Sequence, residues 1–134
     1  MLINNIIVCE GSQNIPQPDG STTTVLVKPM PEIESEFIPG LYSMTLSFGL
    51  SDIPEGGFHS VKAFIDDDNG HRIFESQSSP SDAGIPKEAM KGSLTCCVDI
   101  RNLRLLKEGS YKIIIDVDGI TKTETFGVRK KCSQ

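Results

Sequence analysis

The sequence has no tryptophan and only two tyrosines among its 134 residues. Carbohydrate-binding proteins rely on exposed aromatic rings, so this composition argues against a sugar-binding protein. Basic residues are also scarce, since 13 Lys and Arg stand against 18 Asp and Glu, which gives a net charge of −5. Nucleic-acid binding depends on positive charge facing the phosphates, so the charge balance argues against that class as well.

Long apolar runs are absent too. No segment approaches the roughly 18 apolar residues that a membrane span requires. The opening segment "MLINNIIVCEG" has no positively charged start, and Asn4 and Asn5 interrupt its apolar run, so we expect no secretory signal. These features predict a cytoplasmic protein with no membrane contact, in which thiols stay mostly reduced.

Cysteine is limited to four residues, and no C-x-x-C motif occurs among them. Cys96 and Cys97 are adjacent in "SLTCCVDI", and neighbouring side chains of a strand point to opposite faces. Cys96 then joins the apolar row and is predicted to be a core residue, while Cys97 joins the polar row. Two thiols on opposite faces cannot converge on a zinc ion. A bridge between Cys9 and Cys132 stays open, because chain ends often lie close together.

The sequence contains none of the common catalytic signatures, such as G-x-S-x-G, a phosphate-binding loop or H-E-x-x-H. The acidic stretch "DDDNGH" at 66–71 departs from a calcium-binding loop, because glycine and histidine stand at its fifth and sixth positions. We therefore predict no catalytic residue, no cofactor and no metal ligand. The alternative that remains open is a small enzyme or metal-dependent protein with a site near His59 or His71, which both lie beside turns.

Strict alternation of apolar and polar residues is the strongest positive signal. It predicts half-buried strands in "YSMTLSFGL", "SVKAFID" and "YKIIIDV", with further strands at 2–8, 23–28 and 120–128. A short helical turn is expected only at "PKEAMK", 86–91. Seven or eight short strands with turns between them predict an all-β fold: one domain, 1–134, built as an antiparallel immunoglobulin-like sandwich.

Turn chemistry supports this interpretation. Asn69-Gly70 and Asp118-Gly119 each predict a hairpin in which both central residues take a positive φ. The segment "LLKEGSYKIIIDVDG" resembles the end of immunoglobulin-like domains, with Leu106, Gly109 and Tyr111 in the matching positions. The resemblance implies that the Tyr111 hydroxyl bonds back to the upstream backbone.

A second resemblance covers about residues 3–76. The segments "NNIIVCEGSQN", "VLVKP" and "PEIESEFIPGLYSMTLSFGL" are similar to a family of small bacterial proteins of unknown function with a compact immunoglobulin-like sandwich. The resemblance implies a bacterial or prophage-borne cytosolic protein and brings no catalytic residues with it.

The segment "KPMPEIESEFIPG", 28–40, is predicted to be a stiff loop. Its three glutamates, Glu32, Glu34 and Glu36, occur at alternate positions beside Phe37, and preorganised loops lose little entropy on binding. We predict a non-enzymatic protein-binding or accessory module whose partner is an unknown protein, with the oligomeric state left open. The competing interpretation is a solvated connection whose apolar residues are tucked into the sandwich.

Overall fold

The computed structural model describes residues 1–80 and 92–131 of the chain. This part of the chain forms nine strands and contains no helix, which confirms the all-β prediction. The strands are β1 (Leu2–Pro16), β2 (Thr22–Met30), β3 (Glu32–Ser35), β4 (Gly40–Ile53), β5 (Val61–Asp66), β6 (Arg72–Ser78), β7 (Gly92–Leu105), β8 (Gly109–Val117) and β9 (Ile120–Lys130). The predicted helical turn at 86–91 lies outside the described residues.

The strands form two open sheets around one core. One sheet has the order β2-β1-β4-β7 and the other has the order β3-β9-β8-β5-β6. Every neighbouring pair is antiparallel except β3 and β9, which run parallel. The prediction of a wholly antiparallel fold of seven or eight strands was therefore wrong in one pair and in the number of strands. The difference lies in β3, which the sequence places within a loop.

The core comes from the alternating rows of both sheets. Of the residues predicted to face inward on β4, β5 and β8, Tyr42 is half-buried and the others are buried: Met44, Leu46, Phe48, Leu50, Val61, Ala63, Ile65, Tyr111, Ile113, Ile115 and Val117. Two residues of the predicted polar row of β4 are also buried. Thr45 and Ser47 are each only 3% exposed, although alternation predicts that they face solvent. The outer face of β4 is therefore covered by another part of the protein.

The two predicted hairpins form with different turns. Asp118 and Gly119 both have positive φ, 51° and 89°, as the sequence predicts. At the other hairpin only Gly70 does, with φ 81°. There the Asp67 amide donates to the His71 carbonyl (2.9 Å) and the Gly70 amide donates to the Asp67 carbonyl (3.1 Å). This is a three-residue loop with a left-handed glycine, so the prediction of a positive φ at Asn69 was wrong.

Tyr111 closes the corner between β7 and β8. Its hydroxyl donates a hydrogen bond of 2.7 Å to the Lys107 carbonyl, four residues upstream, as the resemblance implies. Its ring stacks on Phe126 with centroids 5.7 Å apart. The leucine of this corner is one position earlier than expected, because Leu105 is 1% exposed whereas Leu106 is 61% exposed.

We expect Tyr111→Phe to lower the free energy of unfolding by about 1 kcal/mol, since it removes one buried hydrogen bond and leaves the ring packing intact. Chemical denaturation followed by fluorescence or circular dichroism measures this change. A second tyrosine, Tyr42, provides the control, because its hydroxyl contacts only the weakly accepting Met30 sulfur at 3.6 Å. An equal loss for Tyr42→Phe would mean that the corner bond has no special role.

Candidate functional site

The predicted interaction loop contains an edge strand. β3 pairs in parallel with β9, with Ile33 opposite Val128, and the Ile33 side chain is completely buried. Glu34 is exposed and Glu32 half-buried on either side of it, as expected for alternation along a strand. The prediction of a loop across 28–40 was therefore wrong for 28–30, which end β2, and for 32–35, where pairing with β9 and the buried Ile33 hold the segment against the second sheet.

The three glutamates of this segment do not act as one acidic stripe. The Glu32 carboxylate lies 3.6 Å from the Arg129 guanidinium on β9, so its charge is largely balanced. Glu34 and Glu36 are both exposed. Glu34 and Glu36 supply the negative charge at this edge, while the exposed Arg129, Lys130 and Lys131 at the adjoining end of β9 supply positive charge.

Phe37 is the most exposed large apolar side chain in the described part of the protein, at 73%. Phe37 lies outside the strands, and its amide donates a hydrogen bond to the Ser35 hydroxyl (3.2 Å). A Cβ at Gly40 would collide with the Phe37 carbonyl oxygen, so glycine at position 40 allows the chain to fold back directly after Phe37. The turn thus holds the ring at the surface.

Two exposed leucines lie at the same end of the molecule. Leu41 is 60% exposed and Leu106 is 61% exposed. The register places Gly40 opposite Leu105, so the start of β4 and the end of β7 meet there. We call Glu34, Glu36, Phe37, Leu41 and Leu106 together the Phe37 surface. The sequence singled out Phe37 and the glutamates, but neither leucine.

The two histidines do not form a common site. The His59 amide donates to the Asp118 carboxylate (2.9 Å), and the His71 ring, 78% exposed, lies 3.5 Å from the Asp67 carboxylate. His59 precedes β5 and His71 follows it across the hairpin, so they lie at opposite ends of a six-residue strand, about 20 Å apart.

The aspartates of the 66–71 hairpin point to separate partners. Asp66 binds Arg72 (2.9 Å), and Asp68 binds Lys107 (2.8 Å). The Asp67 carboxylate accepts the His71 amide (2.8 Å), and this hydrogen bond is the main reason that the pKa of Asp67 is lowered. Within residues 1–80 and 92–131, no three His, Cys, Asp or Glu side chains are grouped so that they could hold a metal ion.

The adjacent cysteines occupy different environments. Cys96 is partly buried and packs against the core, whereas Cys97 is exposed. Cys9 is fully buried, and its thiol donates to the Thr45 carbonyl at 3.4 Å. Burial, followed by the nearby Cys97, raises the pKa of Cys9. Its proposed bridge partner, Cys132, lies outside the described residues.

No known protein-family model matches the chain, and no curated protein matches it. The described residues also contain no helix with the length and apolarity needed to cross a membrane. The function of the protein is therefore inferred from its own residues and their geometry.

Proposed function

We propose that the protein is a non-enzymatic, immunoglobulin-like module that binds another protein through the Phe37 surface. The proposal includes a bacterial cytosolic setting, in line with the resemblance to small bacterial proteins. The unpaired thiols of Cys9, Cys96 and Cys97 support a reducing compartment.

The strand order supports the immunoglobulin-like part of the proposal. In such domains strands A, B and E share one sheet, and strands C, F and G share the other. Here β1, β4 and β7 correspond to A, B and E, whereas β5, β8 and β9 correspond to C, F and G. The Tyr111 hydrogen bond at the start of β8 matches the tyrosine corner at the start of strand F. β2 is an addition to this pattern.

The exposure of Phe37 is the observation that carries the proposed binding role. A ring that is 73% exposed gains little from folding, while aromatic side chains are common anchors of protein interfaces. Leu41 and Leu106 extend the apolar area around the same end of the fold. Exposed apolar residues at one end of a fold, beside charged residues, are typical of interaction sites.

The charges at the rim indicate the kind of partner. Glu34 and Glu36 are exposed beside Phe37, and the whole chain carries a net charge of −5. Complementary charge accelerates encounter and suppresses unsuitable partners. We therefore propose a partner surface that is basic at its rim and apolar at its centre. Arg104, opposite Leu41 in the register, and the basic residues Arg129, Lys130 and Lys131 at the end of β9 confine the acidic part of the surface to Glu34 and Glu36.

Phe37→Ala is expected to weaken partner binding about tenfold, since an aromatic anchor typically contributes more than 1 kcal/mol. Glu34→Lys combined with Glu36→Lys should slow association and reverse its salt dependence. Affinity capture from bacterial lysate with quantitative mass spectrometry identifies partners, and surface plasmon resonance with the purified partner measures the rates.

The matched control is Glu55→Lys combined with Glu124→Lys, which makes the same charge change at exposed positions on other parts of the protein. A genuine partner is retained by this control and lost by the Phe37 surface variants. If every captured protein binds all variants equally, the Phe37 surface has no binding role.

A further inference from the structure

The β1–β2 hairpin turns its more polar side toward the protein. Ser12 shares a cleft of about 140 Å³ with Thr45 and other residues of the outer face of β4 and β7. Ser12, Asn14 and Thr24 also line a second cleft, of about 260 Å³, together with Cys97. The hairpin thus lies over the outer face of the first sheet, which accounts for the burial of Thr45 and Ser47.

The opposite side of the hairpin is the more apolar one and faces solvent. Ile15, Val25 and Val27 are 43%, 38% and 37% exposed. Val25 pairs with Gln13 and Val27 pairs with Gly11, so these side chains lie on the same side as Ile15. The exposed side also carries Gln13 and Thr23, and the covered side carries the half-buried Leu26, so the hairpin presents three exposed aliphatic side chains on a mixed surface. Exposed apolar side chains grouped in this way mark an interaction site.

Among the strands of residues 1–80 and 92–131, none pairs with the outer edge of β2, which is the last strand of its sheet. Unpaired edges present backbone donors and acceptors that can pair with another strand. Residues 22–27 of β2 carry no ionisable side chain. The whole strand carries one charge, Lys28, whereas the other edge strands carry two or three: Glu32 and Glu34 on β3, Arg72 and Glu75 on β6, and Asp99, Arg101 and Arg104 on β7, whose first half, 92–98, also lacks Asp, Glu, Lys and Arg.

We propose that β2 pairs with β2 of a second copy of this chain, antiparallel and centred on Val25, to form a homodimer. In a twofold dimer, β2 of one copy faces β2 of the other. A charged residue near the centre of the strand would therefore lie close to the same charge on the second copy. The neutral 22–27 run avoids this cost. Val25 then lies opposite Val25 of the second copy, and Val27 lies opposite Thr23, which joins the two apolar sides into one.

Charges at the ends of the strand favour the antiparallel direction. Lys28 follows the neutral run; its side chain is 71% exposed and lies 3.7 Å from the Glu10 carboxylate of the same chain, and Asp19 lies exposed in the turn before the run. Antiparallel pairing about Val25 places Lys28 opposite Thr22 of the second copy, next to the turn that carries Asp19. By symmetry, the contact between Lys28 of one copy and Asp19 of the other occurs twice in the dimer. A parallel arrangement would instead place like charges together.

The dimer is expected to be concentration-dependent, because the seven paired residues, 22–28, span only about 23 Å. Sedimentation equilibrium at 5 to 500 µM should show a shift from 14.6 kDa toward twice this mass. Val25→Lys should leave the protein monomeric throughout, since it puts two lysines opposite each other. Ile120→Lys is the matched control at another exposed apolar position and should dimerise like the parent.

Disulfide trapping tests the register. In a Cys97→Ser background, Val25→Cys should cross-link two chains on mild oxidation, whereas Val27→Cys, which faces Thr23, should cross-link poorly. Combining Val27→Cys with Thr23→Cys should restore the cross-link. A monomer at every concentration overturns the proposal, and so does equal cross-linking at 25 and 27. Phe37→Ala should dimerise normally, so failure of this proposal and failure of the proposed partner site are distinguishable.

Discussion

Ile33→Ala is expected to lower the free energy of unfolding by about 3 kcal/mol. The isoleucine is completely buried between β3 and the core, and truncation of a buried isoleucine removes apolar contacts and leaves a cavity. A strand of only four residues has few other contacts to compensate, and Ile33 is its one fully buried side chain. Urea denaturation measures the loss as a lower midpoint with an unchanged slope.

The neighbouring Glu34→Ala is the control for this substitution. Glu34 is exposed on the same strand, so we expect a change within about 0.5 kcal/mol. Equal effects at 33 and 34 would mean that β3 is not anchored by its side chain. If Ile33→Ala lowers the free energy of unfolding by less than about 1 kcal/mol, the segment behaves as the loop that its composition predicts.

The sequence predicts the long, regular strands well, because period-two alternation is a direct consequence of strand geometry. "YSMTLSFGL" and "YKIIIDV" each place their apolar rows in the core as predicted. The Asp118-Gly119 turn also forms as its residue types indicate. These features depend on neighbouring residues in the chain and need no knowledge of the remaining fold.

β3 could not be predicted in this way. The flanking Pro31 and Pro39 and its two glutamates are typical of a loop, and its partner is remote in sequence, since Ile33 pairs with Val128 of β9. Only the tertiary arrangement shows that Ile33 reaches the core. The same reason applies to Thr45 and Ser47, whose polar character predicts exposure and whose cover comes from a hairpin that lies over the outer face.

The Phe37 surface likewise contains residues that the sequence singles out and residues that only the fold brings together. Phe37, Glu34 and Glu36 are close in sequence and were singled out by composition. Leu41 and Leu106 join them only because β4 begins where β7 ends. Glu32 was also expected to face a partner, yet Arg129 on β9 lies against it. Local pattern thus predicts the residues of one segment, whereas the extent and charge of the surface depend on non-local pairing.

The adjacent thiols should differ strongly in reactivity. Burial, with a smaller contribution from Cys97, raises the pKa of Cys96 from 9.0 to about 11. The thiolate is the reacting species, so at neutral pH this shift alone lowers the reactive fraction of Cys96 about a hundredfold. Cys97 is exposed and should be alkylated first. Iodoacetamide labelling of the native protein, with fragmentation of the peptide that carries both cysteines, measures the two rates.

The pH dependence separates the shifted pKa from simple shielding. Below its pKa, the thiolate fraction of Cys96 rises about tenfold per pH unit, so its labelling rate should still be increasing at pH 10. Between pH 9 and 11 the folded protein keeps the Cys96 proton that the unfolded chain releases, so stability should fall as pH rises through this window. Labelling in urea, where both cysteines are exposed, is the control and should give similar rates. A native Cys96 rate that levels off near pH 9, or that equals the Cys97 rate, would show that Cys96 does not face the core.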